Sequence, residues 1–204
     1  LSEGKCIFVE NRNQMNVALF ASGTGSNVKN IIEYFKNNDE VNIAAVFSNK
    51  ASAGALDHAK NANIDRHVFS YEDLQQTTNI LELLVREQID LIVLAGFLLK
   101  IPAAFIAGFK GQIINLHPSL LPKYGGKGMY GAHVHSAVIA AKEKETGITI
   151  HFVNEHYDRG AIIKQYKTPL SSTDDLAAVQ EKIKQLEKNY FPSTIEGVIK
   201  NTNK

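Results

Sequence analysis

Residues 16–27 read NVALFASGTGSN, a short apolar run that passes into a glycine-rich turn and then into a helical pattern. The run 16–21 is typical of a buried strand, and apolar residues within 27–37 recur at the spacing of one helix face. A strand joined by a tight turn to a helix is the repeating unit of α/β proteins. This stretch therefore predicts the first such unit.

The same alternation continues along the chain. Strands are predicted at 41–47, 64–69, 90–95, 111–116, 147–153 and 161–168, and helices at 27–37, 51–62, 74–87, 132–144, 173–189 and 192–200. The pattern predicts an α/β fold with a three-layer, doubly wound, mostly parallel sheet and an antiparallel hairpin near its C-terminal part. We expect a single domain over residues 15–204. Residues 1–14 are interpreted as an N-terminal tail, with Met15 as a candidate natural start.

Composition restricts the classes of function. The 204 residues carry 22 basic and 21 acidic side chains, so net charge favours neither a nucleic-acid nor a membrane partner. One cysteine, Cys6, allows neither an intrachain disulfide nor a cysteine-based metal cluster. The apolar runs are too short to span a bilayer, and 1–14 lacks the apolar core of a secretory signal. We therefore expect a cytoplasmic protein. Small-molecule substrates and a monomer or homodimer are further expectations, which composition alone does not give.

The glycine-rich turn SGTGSN at 22–27 lies between the first strand and the first helix. Its glycines expose backbone amides beside a helix N-terminus, which suits a phosphate or another anion. A dinucleotide is disfavoured, because Val28 stands where a third glycine is expected and the second strand ends FSNK, without a carboxylate. A monophosphate is the better prediction. The alternative is a capped helix with no ligand.

Asn115 and His117 alternate at the end of an apolar strand, so their side chains project from the same face. Pro118 disfavours a helical conformation at His117 and keeps it extended. An amide beside an imidazole can stabilise a developing oxyanion and move a proton. The alternative is a strand end whose two polar groups are satisfied within the fold.

Two further features fall near the carboxyl ends of predicted strands. The segment AGFLLKIP at 95–102 keeps apolar side chains beyond its strand, which indicates either packing under a loop or a slot for a flat aromatic ligand. Asp158, between the last two strands, would raise the pKa of His117 if the two lie close together. Alternatively it forms turn hydrogen bonds or is neutralised by Arg159. His151 is more often a buried structural histidine, with a supporting role left open.

Five motifs occur in order: SGTGSN (22–27), VFSNK (46–50), LAGF (94–97), NLHPSLLPKY (115–124), and HFV (151–153) followed by Asp158. Together they resemble the phosphoribosylglycinamide formyltransferase family, folate-dependent enzymes of purine biosynthesis, over about residues 16–192. The block NLHPSLLP is highly specific to folate-dependent formyl transfer. The tripeptide SNK and the chain length favour the glycinamide enzyme over its relatives.

The resemblance implies a formyltransferase-like fold and assigns roles to individual positions. It implies Asn115, His117 and Asp158 as the catalytic set. It implies a ribonucleotide site at Gly25, Ser26, Asn27, Lys184 and Glu187. It implies folate contacts at Phe97, Leu98, Leu99, Ile101, Asn115, Asn154, Glu155, Tyr157 and Asp158. It implies 10-formyltetrahydrofolate as co-substrate and no metal.

The chemistry implied is direct transfer, in which the amine of the ribonucleotide attacks the formyl carbon. Asn115 and a protonated His117 would donate to the formyl oxygen, and Asp158 would favour the imidazolium and help to move the proton. The sequence departs from the family where an arginine contacts the folate in some relatives. The segment SYEDLQQ (70–76) has none, and Leu99 stands where another occurs. The loop YGGKGMYG (124–131) also differs from a shorter version.

Three alternatives remain open. A formyltetrahydrofolate hydrolase shares the catalytic set, but it normally carries an N-terminal regulatory domain that residues 1–14 are too short to supply. A methionyl-tRNA formyltransferase needs a C-terminal domain and usually a basic face. A non-catalytic folate- or nucleotide-binding module is disfavoured by the intact catalytic set.

Overall fold

The computed structural model describes residues 14–202, which contain seven strands and seven helices. The strands are β1 (Met15–Phe20), β2 (Val41–Ser48), β3 (Asp65–Val68), β4 (Leu91–Leu94), β5 (Gln112–His117), β6 (Glu145–Phe152) and β7 (Ile162–Pro169). The helices are α1 (Ser26–Phe35), α2 (Gly54–Asn61), α3 (Tyr71–Gln76), α4 (Thr78–Arg86), α5 (Ala103–Gly108), α6 (Ala132–Ala140) and α7 (Leu176–Thr202).

All seven strands form one sheet in the order β3-β2-β1-β4-β5-β6-β7. Strands β1 to β5 pair in parallel, whereas β6 runs antiparallel to β5 and β7 antiparallel to β6. The predicted mostly parallel sheet with an antiparallel hairpin is confirmed. The strand order reverses direction at β1, so a crevice is expected outside the carboxyl ends of β1 and β4.

Two apolar clusters, one on each face of the sheet, explain the three layers. One cluster joins the sheet to α1, α2 and α7, and the other joins it to α3, α4 and α5. Strand β4 is buried along its whole length, as expected for a central parallel strand covered on both faces.

Phe20, at the end of β1, is the centre of an aromatic group in the second cluster. Its ring stacks on Phe47 at 4.9 Å and meets Phe97 edge-on at 5.6 Å and Phe105 at 6.3 Å. The Phe20 side chain thus packs β1 against β2, α5 and the loop after β4.

One predicted helix, 74–87, is two helices in the structure. Thr77 has a φ of 63° and ends α3, and α4 begins at the next residue. Ser70 starts α3 with a capping box, in which its hydroxyl accepts from the Asp73 amide and Asp73 accepts from the Ser70 amide. The short helix α5 was not predicted.

Near the C-terminus, the two helices predicted at 173–189 and 192–200 are instead one helix, α7, with Pro192 inside it. A proline has no N–H for the carbonyl four residues earlier, which here belongs to Lys188. Asn30 of α1 donates its Nδ2 hydrogen to that carbonyl at 3.0 Å. A tertiary hydrogen bond therefore replaces the missing helical one, and the apolar face continues across Pro192 through Phe191 and Ile195.

The single domain over 15–204 stays a prediction. The tail predicted for residues 1–14 lies outside the described residues, apart from its last position. Among residues 14–202, no helix combines the length and the apolar character needed to cross a membrane.

Replacing Phe20 by alanine should lower the free energy of unfolding by about 3–5 kcal/mol, because it empties the centre of the aromatic group. Urea denaturation followed by far-UV circular dichroism measures the change. Val85→Ala is the control, since Val85 is 75% exposed and its loss should cost no more than about 0.5 kcal/mol. A loss below about 1 kcal/mol for Phe20→Ala would contradict the assigned packing.

Candidate active site

The loops that follow β1, β2 and β4 meet at the carboxyl edge of the sheet and are joined by Ser22. The Ser22 hydroxyl donates to Asn49 Oδ1 at 2.7 Å and accepts from the Leu98 amide at 3.0 Å. The Ser22 amide donates to the Gly96 carbonyl at 3.1 Å. One buried serine therefore sets the separation of three loops.

A cavity of about 800 Å³ opens at this edge. Its walls come from the glycine-rich turn, the loop after β4, the end of β5, the loop 126–131, the turn after β6 and one face of α7. This is the position in which doubly wound proteins bind their ligands.

The glycine-rich turn forms one end of the cavity and leads into α1. Gly25 has a φ of 77°, and a Cβ there would lie 2.5 Å from Cα of Ala55, so only glycine fits. Among the described residues, no side chain caps the first turn of α1. The backbone amides of Ser26, Asn27 and Val28 precede the first helical hydrogen bond, which runs from the Lys29 amide to the Gly25 carbonyl, and they suit an anion.

Helix α7 faces this turn across the cavity. Asn27 Nδ2 donates to Glu187 Oε2 at 2.9 Å. Burial raises the pKa of Glu187, although the hydrogen bond from Asn27 and the charge of Lys184 act to lower it. Glu187 and Lys184 both line the cavity, so a carboxyl group and a cation lie near the helix N-terminus.

The opposite end of the cavity is apolar. Phe97 and Ile101 are buried, whereas Leu98 is 51% exposed and lines the cavity. Lys100 Nζ lies 5.4 Å from the ring centroid of Tyr157, which links the loop after β4 to the turn after β6. The cavity thus combines a polar end with an apolar end.

Strand β5 supplies the polar groups between the two ends. Asn115 and His117 both line the cavity, as their alternation predicts. His117 Nε2 donates to the Tyr124 carbonyl at 2.7 Å, since a carbonyl can only accept. Nδ1 of the same ring lies 3.6 Å from Asp158 Oδ2.

The Asp158 carboxylate lies between two imidazoles. Its Oδ2 accepts from the Gly126 amide at 2.7 Å, and its Oδ1 lies 3.7 Å from His151 Nε2. Asp158 has a φ of 53°, a strained value for a residue with a side chain. The backbone of Gly125 passes so close that a Cβ there would lie 3.2 Å from the Asp158 Cβ.

A protonated His117 was expected, but burial favours the neutral ring, although Asp158 raises the pKa of His117 as expected. Burial lowers the pKa of His117 below 6.5, and this outweighs the raising effects of Asp158 and of the Tyr124 carbonyl. Burial alone would raise the pKa of Asp158, but His151, His117 and the Gly126 amide together hold it below its ordinary value. At neutral pH the pair is therefore a carboxylate beside a neutral imidazole rather than beside an imidazolium.

All but one of the site residues predicted from the sequence line the cavity. They are Gly25, Ser26, Asn27, Phe97, Leu98, Leu99, Ile101, Asn115, His117, Asn154, Tyr157, Asp158, Lys184 and Glu187. Glu155 does not lie on the cavity wall. Its side chain is 65% exposed and lies 3.5 Å from the His156 ring, because the turn directs it outward.

Two histidines on the cavity wall were not among the predicted site residues, although a supporting role was left open for His151. His151 pairs with Asn115 across β5 and β6, and this long-range register is not visible in the sequence. His135 on α6 is buried in the cavity wall, and its burial lowers its pKa. A histidine within an apolar helix was the only sign of it. Within residues 14–202, no three His, Cys, Asp or Glu side chains are grouped to hold a metal ion.

The chain is similar to formyltransferases both in sequence and in structure. The sequence model of the Formyl transferase family matches residues 15–195. The chain is 38% identical to phosphoribosylglycinamide formyltransferase of Haemophilus influenzae, over 88% of this chain and 85% of that protein. It is 34% identical to the chloroplastic phosphoribosylglycinamide formyltransferase of Vigna unguiculata over 89% of this chain, and spans 60% of that protein's length.

A crystal structure of phosphoribosylglycinamide formyltransferase from Anaplasma phagocytophilum has a similar fold over most of its length. It superposes with a TM-score of 0.84 and 29% identity, covering 92% of this chain and 87% of that one.

Replacing Asp158 by asparagine should lower the pKa of His117 further, because the carboxylate charge opposes the effect of burial. Titration of ¹⁵N-histidine-labelled protein by NMR measures this pKa. Glu155→Gln is the matched control, since that carboxylate lies off the cavity. An unchanged or higher pKa in Asp158→Asn would contradict the assigned electrostatics.

The lowered pKa of His117 also predicts that the folded protein loses stability in acid. Because the folded-state pKa of His117 lies below 6.5, protonation of this group favours the unfolded chain. The stability that it contributes is present above pH 6.5 and is lost as the pH falls through the folded-state pKa.

Proposed function

The chain belongs to the formyl transferase family, and from that premise we propose that it transfers the formyl group of 10-formyltetrahydrofolate to the amine of N1-(5-phospho-D-ribosyl)glycinamide, in de novo purine biosynthesis. The observation that carries the proposal is the convergence of Asn115, His117 and Asp158 on one cavity wall, between an anion-binding turn and an apolar slot.

The ribonucleotide fits the polar end of the cavity. Its phosphate would lie against the turn at Gly25 and the free amides that open α1, where the helix dipole favours negative charge. Lys184 would add a positive charge from α7, and the Glu187 carboxyl would accept hydrogen bonds from the ribose or the amine. With its phosphate at the turn, the ribonucleotide would extend its amine toward the centre of the cavity.

The folate fits the apolar end. The exposed Leu98, the buried Phe97 and Ile101 beneath it, and the ring of Tyr157 offer a surface for a flat heterocycle. Lys100 beside Tyr157 adds a cation at this end of the cavity, where Leu99 replaces the arginine of some relatives. When bound, the folate supplies the formyl carbon that the amine attacks.

Asn115 would stabilise the charge that develops on the formyl oxygen by donating an Nδ2 hydrogen. One such donor in a preorganised site is worth roughly 3–4 kcal/mol. His117 is placed to accept a proton on Nδ1, since its Nε2 proton is held by the Tyr124 carbonyl. Asp158 would stabilise the resulting imidazolium. The pair can then return the proton to the departing folate nitrogen.

The test is to mix the protein with both substrates and to follow deformylated folate and formylated ribonucleotide together. Equal release of the two products supports the transferase. Folate release without formylated ribonucleotide would select the hydrolase, and binding without turnover would select a non-catalytic module.

Asn115→Ala should lower kcat about 100- to 1,000-fold, with KM for each substrate changed by less than about threefold, because the amide acts mainly on the developing oxyanion. Steady-state kinetics on both substrates measures the two parameters. Asn42→Ala is the control, since Asn42 lies on β2 at the opposite edge of the sheet, bonded to Asn16. A raised KM with unchanged kcat would remove Asn115 from the chemical step.

Lys184→Ala should raise KM for the ribonucleotide about tenfold, with kcat and the folate KM nearly unchanged, because a charged hydrogen bond to phosphate is lost. Lys188→Ala is the matched control one helical turn along α7. Lys188 is exposed and lies off the cavity wall. Equal effects of the two substitutions would contradict a specific phosphate contact.

A further inference from the structure

His151 is a buried imidazole at the centre of the site that the proposed chemistry does not use. It lies on β6 opposite Asn115 of β5 and is 1% exposed. Its Nδ1 lies 2.8 Å from the Phe152 carbonyl. A carbonyl oxygen can only accept, so Nδ1 must carry a proton.

The hydrogen bond from His151 Nδ1 to the Phe152 carbonyl determines whether Nε2 donates or accepts. In the neutral ring, a proton on Nδ1 leaves Nε2 of His151 with a lone pair. Nε2 lies 3.2 Å from Asn115 Nδ2, so the amide must donate to the ring. The reverse orientation of the amide would set Oδ1 against the lone pair, and it is therefore disfavoured.

We infer that His151 is a positioning residue that orients the Asn115 carboxamide, with one N–H directed to the ring and the other available to the formyl oxygen. This inference rests on the proposed function. A chain of hydrogen bonds runs from the Phe152 carbonyl through both side chains to the place where negative charge develops. The backbone of β6 thus selects which end of the amide meets the substrate.

The competing arrangement has a proton on His151 Nε2. That proton would point to Asp158 Oδ1, 3.7 Å away, and the Asn115 amide would turn its oxygen toward the ring. The two arrangements differ in the ring tautomer and in the dependence of Asn115 on His151. Both differences can be measured.

Two substitutions separate the functions of the two ring nitrogens. His151→Gln can place an amide oxygen near the position of Nε2 and keep an acceptor for Asn115. His151→Asn can keep a donor near the position of Nδ1, but it offers Asn115 no acceptor. We expect His151→Asn to lower kcat about tenfold or more with little change in KM, and His151→Gln to restore most of the loss.

The double variant tests whether His151 acts through Asn115. In an Asn115→Ala background, His151→Asn should cause no further loss of kcat, because the group that it positions is already absent. Equal kcat values for the asparagine and glutamine variants, or a full additional loss in the double variant, would overturn the inference in favour of a structural role.

The tautomer is read by NMR in ¹⁵N-histidine-labelled, ligand-free protein above pH 7.5, and His151→Gln assigns the signal. We expect a protonated Nδ1 and an unprotonated Nε2, and the opposite pattern would overturn the inference. This measurement does not depend on turnover. If wild-type protein forms no formylated ribonucleotide, the proposed function fails while the tautomer still decides the hydrogen-bond arrangement.

Discussion

The position of the Asp158 carboxylate is the constraint on which the candidate active site depends. It is held by the Gly126 amide on one side, by a strained backbone at Asp158 itself and by the close passage of Gly125. Because it is partly buried and still ionised, it needs hydrogen-bond donors or positive charge nearby. The two facing imidazoles, at 3.6 and 3.7 Å, meet that need.

The His117 and His151 rings are held in the same way, each by a hydrogen bond to a backbone carbonyl. Nε2 of His117 donates to the Tyr124 carbonyl, and Nδ1 of His151 donates to the Phe152 carbonyl. In each ring, the other nitrogen faces the Asp158 carboxylate. His117 can therefore take up a proton on Nδ1 without breaking its hydrogen bond to the backbone. Burial keeps His117 neutral beforehand, which leaves it able to accept a proton at neutral pH.

Features that depend on neighbours in sequence were predictable. The alternation of Asn115 and His117 and the glycine turn at Gly25 follow from local geometry, and so does the α/β order of the sheet. Features that depend on partners distant in sequence were not. Helix α7 continues through Pro192 because Asn30 supplies the missing hydrogen bond, and His151 matters because of its antiparallel register. The protonation of His117 likewise depends on the balance of burial against charge, which composition does not contain.

Ser22 joins the loops after β1, β2 and β4 through two hydrogen bonds of its hydroxyl and one of its amide. The loop that forms the glycine-rich turn and the loop that carries Leu98 consequently share one anchor. Displacing one loop would strain its hydrogen bonds to Ser22, so the two loops are expected to move together. Two reactants bound at opposite ends would keep their spacing through that single serine.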